Sequence, residues 1–350
     1  MMLIRPVAMS DLNSLCELAQ KTGPGLTTLP NDKELLEEKI EQSLLAFSSD
    51  VTSPGLEYYL FILEDTENGV IVGTSALAAT VGLCEAFYSY HLGMVVHNSH
   101  ELNVHNVISI LSLCNDYTGT TEICTLFLHP DYRKEGNGQL LSRCRFLFMA
   151  MHQQRFAAKV IAELRGVSDA EGNSPFWDAI GSHFFSMKFI DADAISGHGN
   201  NQFIAELMPK YPIYLPMLPQ SALDVIGQVH PDTLPALKML EKEGFEYCDY
   251  IDIFDAGPSI EVKTSKINSI QNSNNCTVVI VEDAAFRAIE SQLCMLANEH
   301  TVNFRACYGN GILKRSQITI SATLANNLKV TSSDILRVYP TERKSVVKQI

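Results

Sequence analysis

The stretch that most constrains this chain is an uncharged strand candidate, Ile123-Cys124-Thr125-Leu126-Phe127-Leu128, which leads into Arg133-Lys134-Glu135-Gly136-Asn137-Gly138 and then into a long helical pattern. The run 123–128 predicts a central strand, 138–152 a helix, and 160–164 a returning strand. Glycines at such a junction permit close backbone approach. The first-turn N–H groups then point outward with the positive end of the helix dipole behind them, which makes the loop an anion cradle. No Gly-Lys-Ser/Thr follows, so it is not a Walker-type phosphate loop. Leu141 stands three residues after Gly138, so it is not the dinucleotide fingerprint either.

The rest of the chain predicts a mixed α/β (α+β) sheet. A short strand at 3–7 precedes a helix capped by Ser10 or Asp11. Thr22-Gly23-Pro24-Gly25 breaks that helix, and Asp32 caps a second one. Strands follow at 58–63 and 70–76, a β pattern at 86–96, and a polar excursion at 97–105. After the strand–helix–strand unit, Pro175 opens another helix at a first-turn position. Helices at 203–208, 222–226 and 233–243 then alternate with strands at 213–215 and 247–254. Phe176-Trp177…Gly181…Phe184-Phe185 and Leu237…Leu240…Gly244-Phe245 share a form that suggests an internal duplication, although helix–Gly–strand junctions also recur without one. Residues 266–275 read as a linker. Beyond it comes a β-rich region with one helix over 284–299 and strands at 318–322 and 335–338. The expected units are 1–195, 196–262 carrying His230, and 263–350.

Acidic residues number 40 against 26 basic ones, a formal charge of −14, which argues against nucleic acid or an anionic membrane as the main partner. Nine cysteines without a C-x-x-C pair fit free thiols in a reducing compartment. The N-terminus lacks a signal-peptide pattern, and the apolar stretch 70–84 is shorter than the ~20 residues of a membrane span. The expectation is a soluble, cytoplasmic protein.

Gln228-Val229-His230-Pro231-Asp232-Thr233 places a histidine at a loop–helix junction, where an imidazole can move a proton near neutral pH, although a loop histidine is more often inert surface. His91, His97, His100 and His105 lack the spacing of a helical metal site, so no metal is expected. No G-x-S-x-G elbow is present.

The R-x-x-G-x-G pattern between strand and helix resembles the acyl-coenzyme A loop of GCN5-related N-acyltransferases. Longer segments resemble the arginine N-succinyltransferase family. These are Leu3-Ile4-Arg5-Pro6-Val7 with Lys21-Thr22-Gly23-Pro24-Gly25, Ala162-Glu163-Leu164-Arg165-Gly166, Ser174-Pro175-Phe176-Trp177-Asp178 and Phe203-Ile204-Ala205-Glu206-Leu207-Met208-Pro209. Gly227-Gln228-Val229-His230-Pro231 and Asp252-Ile253-Phe254-Asp255-Ala256-Gly257-Pro258 complete the set. The resemblance implies two tandem acyltransferase-like units with a smaller β-rich C-terminal region. It implies His230 as proton donor and Leu126 as a succinyl-CoA contact, with Arg133, Gly136, Asn137, Gly138 and Gln139 holding the coenzyme. Succinyl-CoA is then the acyl-donor substrate rather than a permanently bound cofactor, and L-arginine is the acceptor. A homodimer or a related partner subunit is also implied. The chain departs from the family pattern at His129, where an acidic residue is expected, and its last ~90 residues match less closely. Two rival readings are an N-acetyltransferase acting on another small amine and a non-catalytic arginine- or coenzyme-binding module.

Overall fold

The computed structural model describes residues 1–22, 28–169, 171–197, 202–288 and 290–341. The predicted helix break at Gly23-Pro24-Gly25 therefore lies outside the described residues. The strands are β1 (Met2–Pro6), β2 (Tyr58–Asp65), β3 (Val70–Ala78), β4 (Ser89–Ser99), β5 (Val104–Cys114), β6 (Thr121–Leu128), β7 (Lys159–Glu163), β8 (Ile213–Tyr214), β9 (Glu246–Ile251) and β10 (Pro258–Lys263). The C-terminal region adds β11 (Asn274–Val281), β12 (Gln292–Asn298), β13 (Ala306–Lys314), β14 (Gln317–Ser321) and β15 (Ile335–Pro340). Three helices matter most for the site: α1 (Leu12–Ala19), α2 (Lys33–Ser48) and α3 (Asn137–Met151). The spatial order is β12-β15-β11-β14-β13-β1-β2-β3-β6-β7-β10-β9-β4-β5-β8.

One irregularity in this sheet makes the site. β6 runs antiparallel to β3 but parallel to β7, and it pairs with β7 only at Thr121–Val160 and Glu122–Ile161. Beyond Glu122 the two strands part and leave a wedge. α3 covers this region with Leu140, Leu141, Cys144, Leu147 and Phe148 turned into the core. Phe148 sits among Phe47, Tyr59, Phe61 and Phe304 in edge-on or tilted contacts, which tie α2, β2 and the C-terminal region to α3. Arg143 on α3 donates from Nε to Glu243 Oε1 at 2.8 Å, and the Glu243 carboxylate also accepts from Ser269 N and Oγ.

The structure corrects several sequence expectations. Residues 97–105 are not a polar excursion but the end of the long β4–β5 hairpin, which crosses over to pair with β9. Met94, Val96 and Val107 near its tip are exposed, so no single buried face made β5 recognisable. The helix expected over 284–299 divides into a short turn at Asp283–Arg287 and strand β12. Met295, Leu296 and Ala297 are all buried, and a run buried on both faces carries no period to separate strand from helix. β10 falls outside the predicted strands, and the linker at 266–275 contains a helical turn, Asn268–Gln271, and the start of β11. β12 pairs with both β15 and β13, so β11–β15 close into a five-stranded ring joined to the main sheet through β13 and β1.

Candidate active site

The wedge between β6 and β7 holds a cavity of about 480 Å³. Its β6 wall is bulged. Thr74 faces Phe127 and Ala76 faces Cys124, so Thr125 and Leu126 together oppose Ser75 alone. Thr125 has φ of 54°, a conformation that disfavours a β-branched residue. Three contacts hold it there. Thr125 Oγ1 lies 2.7 Å from Tyr58 Oη, Thr74 Oγ1 donates to Thr125 O at 2.9 Å, and Thr125 N donates to Thr28 Oγ1 at 3.2 Å. A bulge takes backbone groups out of the ladder and re-aims them. Leu126, the next residue, lines the cavity.

The loop expected to cradle an anion sits at the start of α3; of its residues Arg133 lines the cavity, and Gly136, Asn137, Gly138 and Gln139 do not. Glu135 (φ 53°) and Gly136 (φ 80°) are consecutive left-handed residues that turn the chain into the helix. Asn137 is buried and serves the loop: its N–H donates to Lys134 O, and its side chain donates to Tyr132 O. First-turn amides have no acceptor within their own helix, which leaves those of Gly138 and Gln139 directed outward. A Cβ at Gly138 would meet only the Leu128 side chain at 3.9 Å, so the glycine leaves open space rather than relieving a clash. Arg133 lines the cavity and is steadied by a bond from Nε to Leu128 O at 3.1 Å.

His230 stands beside the cavity. Its backbone N–H donates to Arg165 O at 2.9 Å, and Val229 bridges Gly166. Asp232 N donates to His230 Nδ1 at 3.2 Å, and the Asp232 carboxylate lies 3.7 Å away. With Nδ1 accepting, the neutral ring carries its proton on Nε2. Burial, and then the Arg165 charge, lower the imidazole pKa below its ordinary value, against a smaller opposing effect from Asp232. Arg165 and Asp232 both line the cavity. His129 occupies an equivalent corner in His129-Pro130-Asp131, where its ring also caps a short turn and lies 3.7 Å from the following aspartate. Sequence reasoning treated His129 only as a departure; its kinship with His230-Pro231-Asp232 appears once both turns are seen.

Residues 2–269 match the family described as arginine N-succinyltransferase beta subunit, and residues 276–340 match its C-terminal domain. The chain belongs to the arginine N-succinyltransferase family. It is 45% identical over 342 residues to the arginine N-succinyltransferase of Yersinia pseudotuberculosis, with 97% of each chain covered. A relative of the same name from Escherichia coli is 45% identical over 340 residues, again with 97% of each covered. The solved arginine/ornithine succinyltransferase subunit AI of Pseudomonas aeruginosa superposes with a TM-score of 0.88 at 37% identity, covering 97% of this chain and 98% of that one.

Two segments that carried the family resemblance interlock behind the wedge. Asp255 accepts from Gly166 N at 2.7 Å and from Gly257 N at 2.8 Å. A Cβ on Gly257 would lie 2.0 Å from Leu164 O, so only glycine permits this crossing. Nearby, Glu122, Glu163, Asp252 and Asp255 line the cavity. Burial raises the Glu122 carboxyl to about 7 against the pull of Lys39. Burial, with Asp252 and Glu122 close by, holds the Glu163 carboxyl well above the usual range. Asp252 is also raised by burial, although it accepts from Phe254 N and Asp255 N. Sequence reasoning missed these carboxylates and also Arg145. The available signal was a charge set inside an apolar run, as in Cys144-Arg145-Phe146-Leu147-Phe148.

Proposed function

We propose that this chain transfers the succinyl group of succinyl-CoA to the α-amine of L-arginine, giving N2-succinylarginine and free coenzyme A. The observation that supports this reading is a bulged wedge lined by Leu126, Arg133 and buried carboxylates, with Arg165 and Asp232 bringing the His230 corner to its edge, in a chain of the arginine N-succinyltransferase family. The coenzyme pyrophosphate rests on the α3 amides at Gly138 and Gln139, with Gly136 and Asn137 shaping the turn and Arg133 adding charge. The thioester lies along β6 at Leu126. The guanidinium of arginine packs against Glu122 and Glu163, and its charge draws these buried carboxyls toward the ionised form with which a planar cation pairs. No helix among the described residues is long and apolar enough to cross a membrane.

The neutral α-amine attacks the thioester carbon, a C–N bond forms, and the carbonyl oxygen takes up negative charge. Backbone N–H groups at the bulge stabilise that oxyanion. As the C–S bond breaks, His230 Nε2 gives its proton to the sulfur and recovers one from the former amine. Incubation with succinyl-CoA and L-arginine, followed by NMR of the product, tests the reading. N2-succinylarginine is the expected product, and unmodified arginine refutes it.

A further inference from the structure

Arg145 has a place in this cavity that the mechanism above does not use. It lies on the third turn of α3, is 1% exposed and borders the wedge. Its guanidinium donates from Nε to Ser142 O at 3.0 Å, from Nη2 to Ser142 Oγ at 3.0 Å and from Nη1 to Cys124 O at 3.4 Å. All three acceptors are neutral, and two belong to its own helix. Among the described residues no carboxylate forms an ion pair with it. A guanidinium has more N–H donors than three contacts use, and a buried charge without a counter-ion is unfavourable unless something completes it. Arg155 is also buried on three neutral acceptors, Ala46 O, Ser49 O and Tyr59 Oη, so it is the place of Arg145 in the wall of the wedge, where Arg155 has none, that gives its charge a ligand to meet.

We propose that Arg145 binds the terminal carboxylate of the acyl donor and so selects a dicarboxylic acyl-CoA over a neutral one. This rests on the acyl-transfer reading given above. Cys124, which Arg145 touches, precedes Leu126 by two residues on β6, a separation of at most about 7 Å and less across the bulge. A four-carbon diacid whose thioester lies at Leu126 reaches that far. The donor carboxylate otherwise meets Glu122 and Glu163 across the wedge, so it requires a cation on its own side. Lys21 and Arg133 line the loop end, where the coenzyme phosphates bind, and Arg165 adjoins His230. Of the cations that line the wedge, Arg145 is the one hydrogen-bonded to β6 on the Glu122 side of Leu126; Lys39, whose charge also reaches Glu122 and Cys124, does not line it.

The test compares succinyl-CoA with butyryl-CoA, a neutral donor of the same chain length, using L-arginine as acceptor. The proteins are the full-length chain, Arg145→Met and Arg145→Lys. The wild-type chain is expected to prefer succinyl-CoA in kcat/KM, and Arg145→Met is expected to lower that preference at least about 100-fold. If Arg145→Met does not fold, Arg145→Lys decides: the KM for succinyl-CoA rises about tenfold or more while that for butyryl-CoA does not follow. A wild-type chain that uses succinyl-CoA, with a variant that keeps the same donor ratio or changes both donors equally, overturns the role of Arg145 and leaves the acyl-transfer reading standing. A wild-type chain that uses neither donor overturns the acyl-transfer reading itself.

Discussion

In the proposed reaction His230 handles the proton and Glu122 meets the guanidinium. His230 is held by its backbone to Arg165 and by its ring to the Asp232 amide, so the Nε2 proton has a fixed direction. Replacing it with alanine is expected to lower kcat on the order of 10²–10⁴-fold with little change in the KM for succinyl-CoA. Steady-state kinetics on the variant check this, and near-full turnover removes His230 from the mechanism. Glu122 titrates in the working range. Its carboxyl, raised to about 7, is protonated below that pH and ionised above it. Arginine keeps its guanidinium charge throughout, so its affinity is expected to rise between pH 6 and pH 8 as Glu122 ionises, which calorimetry of L-arginine binding measures over about that window. In Glu122→Gln this pH dependence should disappear. His230 was picked out in the sequence through the family resemblance of Gly227-Gln228-Val229-His230-Pro231, because a His-Pro-Asp corner alone recurs at His129-Pro130-Asp131. Glu122 was not, because its significance comes from β7 and the loop at 252–255, brought beside it by the fold.

At the scale of elements, the site depends on crossings that admit no extra atoms. Gly257→Ala pushes a methyl group against Leu164 O, which forces apart the loops that seat Glu163 and His230. A loss of more than about 2 kcal/mol in unfolding free energy is expected by urea titration. Arg143 and Glu243 clamp α3 to the segment around Ser269, which the Glu243 carboxylate also holds. The Glu243 carboxylate is almost wholly buried, so Arg143→Met leaves an uncompensated charge, and a cost of about 3 kcal/mol is expected in the same titration. The strand–loop–helix unit around Gly136 could be read from residues alone because its signals are local: a run of apolar residues, two glycines and a helical period. β5, β10 and β12 could not. β5 is exposed at its tip, β10 is short and begins at Pro258, and β12 is buried on both faces, so none shows the alternation of a half-buried strand.

On the scale of the whole molecule, the mixed α/β body, with its β4–β5 hairpin reaching across to β9, and a closed C-terminal ring are joined into one hydrogen-bonded sheet. The wedge lies at its middle, where β6 and β7 part, with β10 and β9 continuing the sheet beyond. The general α/β character and the β-rich tail were legible from the order of periodic segments. The crossing of β4–β5 to β9 was not, because pairing between strands far apart in the chain leaves little local trace. The central claim is that this wedge moves a succinyl group onto arginine. Its most direct test is free-thiol release from succinyl-CoA with and without L-arginine, with acetyl-CoA run in parallel. Release that needs arginine and is specific to succinyl-CoA is the predicted result; release only from acetyl-CoA, or none from either donor, contradicts it.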